Sequence, residues 1–133
     1  MCAMPFLPMS NGDFICKNMN IEDARLYCLS KQAATEDFPF DETTLAFRVE
    51  NKIFAIVDLE NTEWFCVKCD ADRAVELRDA YPQIKPAWHM NKRYWNMMDI
   101  ERMDSALVKE LIDHSYIEVL KKLPKKVRIK YGL

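Results

Sequence analysis

Glycine is scarce in this chain: Gly12 and Gly132 are the only two in 133 residues, where average usage would supply about nine. Neither has a second glycine nearby, so the glycine-lined loops that cradle phosphates in P-loop and dinucleotide-binding proteins are excluded. Histidine is equally rare, with only His89 and His114, which leaves few ways to assemble a histidine-based nucleophile system or metal set. No stretch approaches about 18 consecutive apolar residues, so no membrane span is expected. Five cysteines at irregular spacing, Cys2, Cys16, Cys28, Cys66 and Cys69, do not form a disulfide framework. The N-terminal segment has no basic start, and Pro5 and Pro8 interrupt its apolar run. It does not read as a secretory signal, and a reducing cytoplasm is the expected location.

What is present is a globular composition, 50% hydrophobic and 30% charged, of a length that suits one domain. The net charge of −2 hides an asymmetry. Residues 1–84 hold 8 Lys/Arg against 15 Asp/Glu, whereas residues 85–133 hold 11 against 6. A domain with an acidic front and a basic back can present a local basic face without being a polycation. Residues 1–18 read as a leader, 19–124 as the folded domain, and 125–133 as a basic tail, whose plain alternative is solvated chain.

The pattern of elements starts at Asn20, a helix cap with Asp23 in the first turn, followed by Ile21, Ala24, Cys28 and Leu29 at helical spacing. An acidic loop over 35–42 follows, with Phe38 and Phe40 expected to pin it to the body. Strands are predicted over 44–49, 52–59 and 64–69, joined by turns at Glu50-Asn51 and Asn61-Thr62. Asp70 caps a second helix over 71–80. Two short strands, 85–90 and 94–99, flank the polar corner Asn91-Lys92-Arg93, and a long helix runs from Asp104 or Ser105 to Pro124. This order predicts an α+β fold: an antiparallel sheet of about five strands with helices packed on one face. The other face is left partly open.

Two constellations could suggest catalysis or metal. Cys66-Val67-Lys68-Cys69 is a lone CxxC; along a strand its thiols should point to opposite faces, as buried hydrophobes rather than zinc ligands. His114 has Asp113 beside it, but helix neighbours lie about 100° apart, so Asp113 is badly placed to orient it. No catalytic residue, cofactor or metal is expected.

The densest signal is Pro86-Ala87-Trp88-His89-Met90-Asn91-Lys92-Arg93-Tyr94-Trp95-Asn96. Its aromatics can stack on bases, Lys92 and Arg93 can meet phosphates, and Asn91 and Asn96 can reach base edges. The same aromatics could equally face the core. The segment 121–130 carries six positive charges and no negative one, which favours an acidic partner. The candidate nucleic-acid contacts are therefore Lys85, Trp88, His89, Asn91, Lys92, Arg93, Tyr94, Asn96, Lys125, Lys126 and Arg128.

Several of these segments, taken in order, resemble the MmcQ/YjbR family of small bacterial proteins. The resemblance rests on Tyr27-Cys28-Leu29-Ser30, Glu36-Asp37-Phe38-Pro39-Phe40, Phe47-Arg48-Val49, Lys52-Ile53-Phe54-Ala55 and Lys68-Cys69-Asp70. It continues through Ala87 to Asn96, Leu111-Ile112-Asp113-His114-Ser115-Tyr116 and Lys122-Leu123-Pro124-Lys125-Lys126. The resemblance implies a CyaY-like fold and a DNA-binding role attributed to a double-wing arrangement of hairpins. By fold analogy with frataxin-type proteins it also directs attention to Glu22, Asp23, Glu36, Asp37, Asp41 and Glu42 as an acidic ridge for iron, although a shared fold does not transfer function.

Two functions follow as expectations. The first is a non-enzymatic, monomeric nucleic-acid-binding protein, DNA foremost, with no membrane partner; it requires Lys85, Lys92, Arg93 and the tail to share one face. The alternative is a protein- or small-ligand-binding module using the open sheet face, which requires an apolar concavity near Trp64, Trp88 and Trp95 with few converging cations.

Overall fold

The computed structural model describes residues 18–88 and 90–133, with Glu63 described by its backbone alone. Asn20 accepts from the Asp23 N–H (2.8 Å) and Asp23 returns the bond to the Asn20 N–H, a capping box that starts α1, Ile21–Leu29. Six strands follow: β1 (Thr35–Asp37), β2 (Thr44–Val49), β3 (Lys52–Asp58), β4 (Asn61–Lys68), and, after α2 (Ala71–Ala80), β5 (Ile84–Pro86) and β6 (Trp95–Met98). A 3-10 turn, Ile100–Arg102, leads into α3 (Ser105–Lys121), and α4 (Lys125–Arg128) with a second 3-10 turn ends the chain. The sheet is antiparallel, in the order β1-β2-β3-β4-β6-β5.

Strand alternation builds two apolar layers. Leu45, Phe47, Val49, Val57, Phe65, Val67, Cys69, Ile84 and Met98 join the helices in the main core, with Ala24, Cys28, Ala74, Leu77 and the α3 stripe Val108, Leu111, Ile112, Val119 and Leu120. Ala46, Ile56, Cys66, Ala87, Trp95 and Met97 form a smaller cluster on the opposite face, which no helix among the described residues covers. Burying one aliphatic or aromatic core side chain is worth about 1.5–3 kcal/mol, so the helix-covered layer dominates stability.

The fold class agrees with the sequence, and the differences have local causes. The sixth strand is β1, placed by the sequence in a loop. It pairs with β2 through Thr35–Arg48, Glu36–Phe47 and Asp37–Ala46, and is held by Arg25–Glu36 (2.6 Å) and Arg48–Asp37 (3.0 Å) ion pairs. Phe38 and Phe40 do not pin this segment; both are exposed, Phe40 at 68%. The β2–β3 turn is Glu50-Asn51 as expected, both at positive φ with Val49 paired to Lys52. The β3–β4 turn is Leu59-Glu60 rather than Asn61-Thr62, because Asp58 Oδ1 accepts the Glu60 N–H (2.9 Å) and closes the turn two residues early. The strands β5 and β6 are shorter than expected.

The basic tail is not plain solvated chain. Pro124 leads into α4, the Tyr131 ring meets Tyr116 edge-on at 6.4 Å, and the Tyr131 hydroxyl donates to Glu50 Oε2 (2.5 Å). That bond to a carboxylate pushes the Tyr131 pKa up to about 12, so the hydroxyl remains a donor across the physiological range. At the other end residues 1–17 of the expected leader lie outside the described residues. Asn18 bridges to Asp104 and donates to the Glu101 carbonyl (2.8 Å), and Met19 is buried.

Between Phe47–Ala55 and Arg48–Ile53 the β2–β3 register shifts, which makes Phe54 the extra residue of a bulge. The Phe54 carbonyl accepts from the Ser115 hydroxyl, and that hydroxyl accepts from the Lys68 N–H (2.8 Å). Ser115 is fully buried. Ser115→Ala should cost about 2–4 kcal/mol, since it strands a buried donor and a buried acceptor together. A urea denaturation midpoint within error of the parent would contradict this.

Candidate functional site

The open face of the sheet is concave in two places, one on each side of Trp64. The first groove, about 490 Å³, is lined by Lys85, Trp88, Met97, Asp99 and Arg102 among others. Alternation places these groups: Ile84 enters the main core, so Lys85 next to it projects from the other face. Trp88 folds back from the end of β5 and stacks on Trp64, ring centroids 5.9 Å apart and 23° from parallel, while remaining 62% exposed. An exposed indole in this setting offers a π-face for stacking. Arg102 is engaged by Asp99, so Lys85 is the less compensated cation of this groove. The second groove, about 540 Å³, is lined by Phe40, Asp41, Thr44, Ile56, Asp58, Trp64, Cys66 and Met90, with no basic side chain among the described residues.

The expected nucleic-acid contacts divide among four places. Lys85 and Trp88 share the first groove. Asn91, Lys92 and Arg93 are exposed at the corner between β5 and β6, at the end of the sheet. There Asn91 accepts the Arg93 N–H (3.1 Å), the Lys92 carbonyl accepts from Arg78 (2.6 Å), and the Arg93 guanidinium lies 5.6 Å from the Tyr94 ring centre. Tyr94 is half-buried, its carbonyl accepting the Cys69 N–H (2.7 Å). His89 lies outside the described residues.

Asn96 leaves the candidate set. It is 2% exposed; its Oδ1 accepts from Arg78 Nε (2.8 Å) and its Nδ2 donates to the Ala74 carbonyl (3.3 Å), so both ends of the amide are spent joining β6 to α2. The tail also stands apart from the first groove. Lys125, Lys126 and Arg128 follow α3 and dock by Tyr131 beside the β2–β3 turn, whereas Lys85 sits on β5, the outermost strand at the far margin and on the other face. Arg128 Nε is itself enclosed. The tail and Lys85 do not share a face.

Sequence reading missed a group of lysines at the end of the sheet. Burial and the charges of Lys122 and Lys52 together hold the Lys68 pKa below its usual value, with Glu118 acting against them. These lysines are far apart in the chain, but hairpin geometry brings them together: β3 begins at Lys52 and its partner β4 ends at Lys68. Counting charge along segments could not find them; pairing strand ends could.

The other candidate groups have structural partners. His114 Nε2 accepts the Asp70 N–H (3.1 Å) at the start of α2, and Asp113 faces α1 instead, accepting from Tyr27 (2.7 Å) and pairing with Lys31. Cys66 belongs to the open-face cluster and Cys69 to the main core, so the two thiols do lie on opposite faces. Burial pushes their pKa values up, to about 12 and about 11. Among the described residues no three His, Cys, Asp or Glu side chains converge as a metal-binding group. Of the acidic residues noted above, Glu22 and Glu36 engage Arg25, Asp37 engages Arg48, and Asp23 caps α1. No helix among the described residues is long and apolar enough to cross a membrane.

This is a small α+β domain with one sheet face under helices and the other bearing grooves around a tryptophan pair. The family model YjbR matches residues 29–117, and the chain belongs to that family. It is 27% identical over 112 residues to the uncharacterized protein YjbR of Escherichia coli K12, covering 83% of this chain and 95% of the relative. It is 31% identical over 91 residues to the uncharacterized protein YbdF of Escherichia coli O157:H7, covering 67% and 75%. The crystal structure of Deinococcus radiodurans DR2400 superposes with a TM-score of 0.79 at 34% identity, over 86% of this chain and 88% of that one. A Pseudomonas syringae protein shares the fold at a TM-score of 0.61 and 22% identity, over 73% and 96%.

Two measurements check this geometry. Since burial disfavours the thiolate, Cys66 and Cys69 should resist iodoacetamide in the native protein and label fully in urea; rapid native labelling, read by peptide mass spectrometry, would show the thiols to be accessible. His114 is held below its ordinary 6.5, chiefly by burial and then by Arg73. The unfolded chain therefore takes up its proton first as pH falls, so the stability contributed by His114 is complete above about 6.5 and is lost on acidification from there to the lower folded value. Urea midpoints at pH 7.5 and 5.5 should fall further for the parent than for His114→Gln; equal falls would exclude this role.

Proposed function

We propose that this protein binds single-stranded nucleic acid, DNA foremost, weakly and with little sequence preference, as a binding protein rather than an enzyme. The observation that carries the reading is Trp88: a largely exposed indole, backed by Trp64, in the same groove as Lys85. Base stacking on an aromatic platform beside cations is the usual basis of sequence-tolerant single-strand binding. The expected single basic face is not formed, since the tail lies apart from Lys85, which leaves Lys85, Lys92 and Arg93 to carry the contacts without the tail. Phosphates would pass from Lys85 towards the exposed corner of Lys92 and Arg93, which positions the strand without reading its sequence. Duplex DNA fits less well, because an indole lying in a groove has no unstacked base to meet.

The proposal extends to finer points. The fold is of the CyaY-like type, and the β2–β3 and β5–β6 hairpins are the two wings of a double-wing arrangement. The protein acts in the cytoplasm, as a monomer.

Fluorescence anisotropy with a labelled single-stranded oligonucleotide tests the reading. Each phosphate contact on a single strand contributes roughly −0.7 to the log–log salt slope, so Lys85, Lys92 and Arg93 together should give about −2. Replacing Lys92 and Arg93 with alanine should flatten the slope by about 1.4. Trp88→Ala should weaken binding by about 1–3 kcal/mol while leaving the slope alone. Lys125→Ala with Lys126→Ala should change neither. Absence of binding to single- or double-stranded DNA or RNA at low salt would end this proposal and favour a ligand- or protein-binding module on the same face.

A further inference from the structure

The second groove has a chemistry unlike the first. Its floor is apolar, formed by Ile56, Cys66 and Trp64, with Phe40 and Met90 beside them. At one end stand two carboxylates, brought together by the strand register: Thr44 is the partner of Asp58 across β2–β3, and its hydroxyl donates to Asp41 Oδ2 (3.1 Å). Both carboxylates are held by their own turns. Asp41 Oδ1 accepts the N–H groups of Thr43 (2.9 Å) and Thr44 (2.7 Å), and Asp58 Oδ1 accepts that of Glu60. The Asp41 bonds lower its pKa, so it stays ionised well below neutrality.

Two fixed negative charges therefore face an apolar groove whose lining, among the described residues, offers no cation. Phosphate is repelled from such a place. A complementary occupant needs a delocalised positive group that can accept desolvation, lie on an aromatic face and bridge carboxylates, carried on an apolar stem. That description is of arginine; an ammonium is a more strongly hydrated point charge with no planar fork. The geometry points to this groove as a docking site for an exposed arginine of a partner protein, with apolar residues on either side of it. The guanidinium sits between Asp41 and Asp58, the stem crosses Trp64, and the flanking side chains meet Phe40 and Ile56.

The experiment titrates the full chain with N-acetyl-Leu-Arg-Leu-amide, followed by tryptophan emission, against the same peptide carrying citrulline, which keeps the shape and removes the charge. Saturable binding of the arginine peptide is expected, about tenfold tighter than citrulline. Asp58→Asn should weaken it by about tenfold; this variant keeps the oxygen that closes the Leu59-Glu60 turn, and an unchanged urea midpoint confirms the fold. Phe40→Ala, at an exposed position, should weaken it by about fivefold. Lys85→Ala should leave it unchanged, which separates this site from the one proposed for nucleic acid. Equal affinity for the citrulline peptide, an Asp58→Asn variant that binds like the parent, or no saturation at millimolar peptide would each overturn the assignment.

Discussion

A buried hydroxyl stands where the sheet lacks a rung. Beside the Phe54 bulge the β3–β4 pairing ends at Ala55–Val67, and Ser115 of α3 joins the two strands beyond it by taking the Lys68 N–H and giving its own proton to the Phe54 carbonyl. The helix thereby becomes part of the sheet's hydrogen bonding as well as its cover. Its neighbours extend the same work. Side chains on a helix advance by about 100° per residue, and four in succession reach four different parts of the fold. Asp113 meets Tyr27 of α1, His114 the first turn of α2, Ser115 the two central strands, and Tyr116 the Gln32 carbonyl beyond α1 (2.6 Å). A run that resembles a catalytic sequence is the hub where the helical layer is fastened together.

That fastening is confined to one side. With α1, α2 and α3 on a single face, the opposite face relies on its own strands, the β5–β6 connection and the tryptophan pair. Its two grooves meet at Trp64 and differ in sign: Lys85 on the β5 side, Asp41 and Asp58 on the β2–β3 side. On this face the two carboxylates go with the early strands and the lysine with β5, because the sheet order runs from the early strands at one margin to the late ones at the other. The basic tail lies apart, beside the β2–β3 turn. Separated charges on one surface orient a bound molecule, where a uniform charge would only attract it.

Much of this was legible in the residues. The Asn20 and Asp70 caps, the Glu50-Asn51 turn, the α2 span and the opposed cysteines each follow from local rules whose reach is a few residues. What escaped depended on distant partners. Strand β1 pairs with β2, and its two acids meet Arg25 and Arg48, each eleven residues away in the chain. Asn96 reads as a base-contacting amide until α2 is placed against it. The tail reads as free until Tyr131 finds Glu50 and Tyr116. The segment Pro86 to Asn96 stands out in the sequence by residue type alone; that Trp88 lies exposed against Trp64 while Trp95 and Asn96 are buried is a tertiary outcome without a periodic signature.

The same indole pair has an optical consequence. Two indoles 5.9 Å apart and within 23° of parallel are close enough for their electronic transitions to mix, and mixed transitions in a chiral frame give a circular-dichroism couplet that neither ring shows alone. Because one of the two rings is largely in solvent, the couplet belongs to a contact that an incoming planar molecule can part. The domain thus has a built-in spectroscopic gauge of its open face, readable without a label and silent about the helical face behind it.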